Sequence, residues 1–92
     1  MAKFDIDIAR SLEENGKLYE ISSVTTYQGI REKKDGSKPE IEVKIYDSGP
    51  GAGETRYFIE ARELENPVIS ATGNPAAEID TALATLHWFD LD

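Results

Sequence analysis

Two segments of alternating side-chain character flank a glycine-rich break, and this constrains the fold more than any other feature. In Glu40–Tyr46, Ile41, Val43 and Ile45 share one face, and Glu40, Glu42, Lys44 and Tyr46 share the other. In Thr55–Glu63, Tyr57, Ile59 and Ala61 share one face, and Arg56, Phe58, Glu60 and Arg62 the opposite one. A period of two places both segments in strands with one buried face. The break between them, residues 47–54, ends in Gly49-Pro50-Gly51-Ala52-Gly53-Glu54. It reads as a flexible hairpin connection, because glycine supplies positive φ at turns. A phosphate cradle would need three things that fail here. Gly49 and Gly53 stand one residue too close, Glu54 takes the place of the required lysine, and a strand follows instead of a helix.

The same reasoning extends outward. Pro39 opens the first of these strands. Gly29–Lys38 is polar, contains Asp35-Gly36, and is expected to be a mobile loop. Leu18–Tyr27, rich in Ile, Val, Thr and Tyr, is expected to be a strand. At the N-terminus Phe4, Ile6 and Ile8 alternate with Asp5 and Asp7. Asn15-Gly16 then suggests a tight hairpin turn, so a strand is preferred there. The competing reading is a short helix over residues 7–14, capped by Asp7 and ended by Asn15-Gly16. Val68–Thr72, after Pro67, is expected to be a short last strand. Asn74-Pro75 then reads as the start of a helix running from Pro75 to about His87. Ile79, Ala82, Leu83 and Leu86 fall on its sheet-facing side. The expected fold is α+β in two layers: an antiparallel meander of four to five strands with one C-terminal α-helix packed on one face. Residues 1–92 are expected to form a single small domain ending in an acidic tail, residues 88–92.

The formal charge of −8 is uneven. Residues 1–46 carry eight Lys/Arg against nine Asp/Glu, a net of −1, whereas residues 47–92 carry two against nine, a net of −7. So acidic a second half repels nucleic-acid phosphates and anionic headgroups. The chain has no cysteine, and its opening residues lack the apolar stretch of a secretory signal, so a cytoplasmic protein is expected. No apolar run reaches the length of a membrane span.

Chemistry-bearing residues are few. Asp5, Asp7, Asp90 and Asp92 lack the spacing of a calcium loop and are read as solvated carboxylates. His87 is the only histidine and has no nucleophile or acid partner in any recognisable motif. No catalytic, cofactor-binding or metal-binding residue is therefore assigned, and the chain is read as non-catalytic. Arg31, Lys33, Lys34 and Lys38 cluster in one loop, and with the sheet aromatics Tyr46 and Phe58 they form the nucleic-acid alternative. On a helix continuing past His87, Trp88 would lie about 180° from Ile79, on an outer stripe with Ala77, Thr81 and Ala84. An exposed tryptophan is a common anchor of protein interfaces. The other reading is that the helix stops near His87 and Trp88-Phe89 fold back to cap the small core.

Pro39-Glu40-Ile41-Glu42-Val43, Gly49-Pro50 and Asn74-Pro75-Ala76-Ala77-Glu78 together resemble the back half of a double-stranded RNA-binding domain. That family's last helix opens with phosphate-gripping lysines, where this chain has Pro75, Ala76 and Ala77. The resemblance therefore implies a related topology without the RNA-binding chemistry. The functional expectation is a small acidic interaction or regulatory domain using Trp88, Phe89, Phe58, Tyr46 and Ala84. Its partner would be another protein with a basic surface, or a second copy, with nucleic acid second and no membrane.

Overall fold

The computed structural model describes residues 4–92. Its elements are α1 (Ile6–Gly16), β1 (Ser23–Ile30), β2 (Glu40–Asp47), β3 (Tyr57–Glu63), β4 (Ser70–Thr72) and α2 (Ile79–Ala84). Two 3-10 turns, Pro50–Thr55 and Trp88–Leu91, complete it. The strands form one antiparallel sheet in the order β1-β2-β3-β4, an α+β fold. Ile45 lies opposite Ile59 and Val43 opposite Ala61, so the two alternating segments add their apolar residues to the same face. Ile41, Ile45, Ile59, Ala61 and Ala71 line that inner face, and Ala82, Leu86 and Leu91 close over it. Ile59 and Leu91 are the largest fully buried side chains, each stabilising the fold by about 2–3 kcal/mol.

The glycine-rich connection joins β2 to β3 through the 3-10 turn Pro50–Thr55. Gly49, at φ 92°, adopts a conformation that side-chain-bearing residues avoid. Asp47 fastens the loop. Its Oδ1 accepts from Gly49 N at 2.9 Å and from Arg56 Nε at 2.8 Å, and its Oδ2 accepts from Arg56 at 3.1 Å. The guanidinium, foremost, holds the Asp47 carboxyl below its ordinary pKa. In the β1–β2 loop, Asp35 Oδ1 accepts from Ser37 Oγ and N, and Gly36 takes the positive φ of the turn.

Three expectations are corrected. The N-terminal segment is a helix, not a strand. Asp5, not Asp7, caps it, accepting from Asp7 N at 2.9 Å and Ile8 N at 3.1 Å. The strong helix formers Ala9, Arg10, Leu12, Glu13 and Glu14 outweigh an alternation only five residues long. The left-handed closing residue is Lys17, not Gly16, and Leu18 N donates to Leu12 O beyond it.

The second correction concerns Pro75, which does not open α2. Ala76 and Tyr57 exchange backbone bonds of 2.8 and 2.9 Å, continuing the β3 edge after a one-residue slip in register. Asn74, preceding a proline, is disfavoured in helical conformation, which suits this extended path. Only at Ile79 does the chain turn helical, and α2 is six residues long.

Third, β1 spans Ser23–Ile30 rather than Leu18–Tyr27, so Gly29 and Ile30 belong to the strand and not to the loop. Residues 88–92 follow the capping reading and are not a free tail. Leu91 is 0% exposed, because the turn Trp88–Leu91 folds back over the inner sheet face.

Candidate functional site

The short α2 and the returning C-terminal turn cover the β3–β4 side of the inner sheet face. They leave the β1–β2 side open. A groove of about 460 Å³ lies there, lined by Tyr27, Gly29, Ile30, Arg31, Val43 and Trp88 among others. Its floor follows from register. Gly29 pairs with Ile41 and Tyr27 with Val43, so all four lie on the inner face. Gly29 deepens the groove, since a Cβ there would meet nothing within 4 Å. Trp88 forms a wall. Its indole N–H donates to the Leu83 carbonyl at 3.3 Å, and its ring packs against the core. The Arg31 guanidinium lies 5.8 Å from the Trp88 ring centroid and is held by Asp92 at 3.3 Å. A cation over an indole face is attracted by the ring's negative quadrupole. The groove is thus apolar at its floor and charged at one lip.

Of the two readings of Trp88, the structure takes the one in which it folds back against the core rather than pointing away from the sheet. The helix ends at Ala84, so the expected stripe from Ala77 to Trp88 is not continuous. Ala84 is exposed on the last turn of α2, and Phe89 is 67% exposed, stacked on His87 with ring centroids 5.5 Å apart. His87 Nδ1 stands 4.0 Å from Asp90, beyond hydrogen-bond reach. Both residues are open to solvent.

Tyr46 and Phe58 sit on the opposite, outer sheet face with ring centroids 6.0 Å apart. They are half-buried within a polar lattice. The Tyr46 hydroxyl donates to Glu60 at 2.7 Å, and Arg62 pairs with Glu42 at 2.9 Å. The Glu60 carboxylate, by accepting that bond, pushes the Tyr46 phenol above its ordinary pKa. Most of this face's charge is therefore already answered within the sheet.

The basic loop is divided in the same way. Lys33 Nζ lies 3.0 Å from the largely buried Glu63, and Arg31 is engaged by Asp92. Lys34 and Lys38 are exposed. Of the four expected cations, the fold spends two on structure. Asp5 caps α1 and Asp92 holds Arg31, so these carboxylates lie apart in role. Among the described residues no group of three or more candidate metal ligands converges, and no buried side-chain polar atom lacks a partner. No helix among them is long and apolar enough to cross a membrane.

Sequence reasoning found Trp88 and Arg31 but assigned them to rival functions; the structure brings them to one groove. It missed Tyr27, Gly29 and Val43. Tyr27 and Val43 carried no signal beyond strand character, and Gly29 read as loop. No family model, curated protein or solved structure matches this chain.

Proposed function

We propose that the chain is a small non-catalytic protein-interaction domain that receives an apolar anchor of its partner in the Trp88 groove. The observation that carries this reading is the uncovered half of the inner sheet face, walled by a tryptophan and floored by Tyr27, Gly29 and Val43. An apolar pocket with a few polar groups at its lip is the usual form of a recognition site. The partner best fitted has a basic rim around its anchor, since residues 47–92 carry a net charge of −7. The pairing of Arg31 and Lys33 with carboxylates supports a protein partner over nucleic acid, because neither cation is left to meet phosphate. An enzyme is disfavoured by the exposed, unpartnered geometry of His87. Capture from native lysate with and without nuclease tests the reading. A stoichiometric protein that survives nuclease and is released by rising salt supports it. Bound RNA or DNA, or proteins lost on nuclease treatment, overturns it and moves Lys34 and Lys38 to the centre.

A further inference from the structure

We infer that the chain forms a symmetric dimer by antiparallel pairing of β1 with β1 of a second copy, in a register centred on Tyr27. β1 is an edge strand. Arg31 N donates to Pro39 O across the β1–β2 ladder at 3.1 Å. Ladder bonding alternates along a strand, so the odd-numbered residues of β1 face β2. Val24, Thr26, Gln28 and Ile30 therefore turn their N–H and C=O groups outward, and all four are exposed.

Natural sheets blunt such edges with charge, proline or brevity. β1 has none of these defences: Ser-Val-Thr-Thr-Tyr-Gln-Gly-Ile is eight residues long and contains no charged residue and no proline, in a chain that is 30% charged. The opposite edge is defended. β4 has three residues, and its Thr72 carbonyl accepts from His87 N–H at 3.1 Å. A head-to-tail contact of β1 on β4 is thereby blocked, so pairing closes as a twofold dimer rather than growing into a filament.

The occupant follows from charge and from self-fit. A basic partner finds nothing to complement on a neutral strand, whereas a second neutral strand does. The acidic half of the chain forms β3, β4 and α2 away from this edge, and where it returns beside the end of β1 the Asp92 carboxylate is paired with Arg31. In the register centred on Tyr27, outward-bonding residues meet outward-bonding residues: Val24 opposes Ile30 and Thr26 opposes Gln28. The two Tyr27 rings meet across the axis on the inner face. The strand's exposed apolar residues, Val24 at 46%, Tyr27 at 49% and Ile30 at 71%, thus cover one another. The two grooves become neighbours on one continuous sheet.

The inference is independent of what the groove binds, and salt separates the two. Two net-negative copies joined by a neutral strand associate more tightly as salt rises, whereas a basic partner binds more weakly. Sedimentation equilibrium of the purified chain across concentration and salt is the test, with Thr26→Lys as the edge-blocking variant. Thr26 is exposed and bonds outward but lies opposite Lys44 across the β1–β2 ladder, so circular dichroism and urea unfolding check that the lysine leaves the fold intact. The expected result is a dimer strengthened by salt, its dissociation constant raised roughly 100-fold or more by Thr26→Lys. Register is read by Tyr27→Cys in a chain with no native cysteine. Facing residues of this kind sit about 4.5 Å apart, within disulfide reach, so oxidation should link the copies, while Val24→Cys should not. A chain monomeric at every concentration overturns the inference, even where a captured protein upholds the groove. A dimer indifferent to Thr26→Lys also overturns it.

Discussion

Gly73→Ala should loosen the wall of the groove and the fold together. A Cβ at Gly73 would stand 2.9 Å from the Thr85 carbonyl oxygen and 3.0 Å from Leu86 N and Cα. All three are backbone atoms, so no rotamer change relieves the contact. Comfortable separation begins at about 3.5 Å, so the end of β4 and the C-terminus of α2 must part by ~0.5 Å. Overpacking of this kind costs about 1–3 kcal/mol, and the lower chain entropy of unfolded alanine offsets about 0.4–1 kcal/mol of it. The net loss is about 1–2 kcal/mol. With a urea slope near 1 kcal/mol/M for so small a chain, the unfolding midpoint should fall by about 1–2 M. Trp88 is the only tryptophan and lies next to the displaced segment, so its fluorescence reports both the transition and the native environment. Gly51→Ala is the control, since a Cβ there meets nothing within 4 Å and the φ is not positive. A Gly73→Ala midpoint within about 0.3 M of that control would refute the close-packing argument.

Other consequences are as direct. The Asp47 carboxyl is held below its ordinary pKa by Arg56, so its contribution to stability is complete above that ordinary value and is lost as pH falls through the lowered one. Asp47→Asn should therefore be less stable at neutral pH and show a flatter acid limb in urea midpoints taken across the acid range. Lys33→Ala strands the largely buried Glu63 and should cost about 2–4 kcal/mol by urea unfolding; Lys33→Met with Glu63→Leu should recover most of it. Asp5→Ala removes the cap of α1, worth ~1 kcal/mol to that helix. Because α1 buries only Ala9, amide exchange should quicken across residues 6–16 while β2 and β3 stay protected.

How much of this was legible in the sequence depended on whether a pattern's cause was local. β2 and β3 were readable because Ile41, Ile45, Ile59 and Ala61 alternate with polar neighbours and face one core. The N-terminal helix was misread because Ile8 and Leu12 satisfy a helical spacing that begins inside the apparent alternation of Phe4, Ile6 and Ile8. The deciding group was a side-chain cap from Asp5. Pro75 misled for a different reason: the bond partner that kept Ala76 extended is Tyr57, nineteen residues earlier and invisible to any local signal. The groove was least legible. Gly29, Val43 and Trp88 come from three separate segments, and the space between them exists only because α2 is too short to cover the whole sheet.

The central claim, that the Trp88 groove is the recognition surface, is tested most directly by filling it. Gly29→Phe places a ring where an added Cβ meets open space, so the fold should survive while the groove is occupied. Capture from nuclease-treated lysate should be run side by side with the wild-type chain, Gly29→Phe and the outer-face variant Tyr46→Ala. The account predicts that the partner held by wild type and by Tyr46→Ala is lost from Gly29→Phe. A folded Gly29→Phe chain that holds the same partner would contradict it.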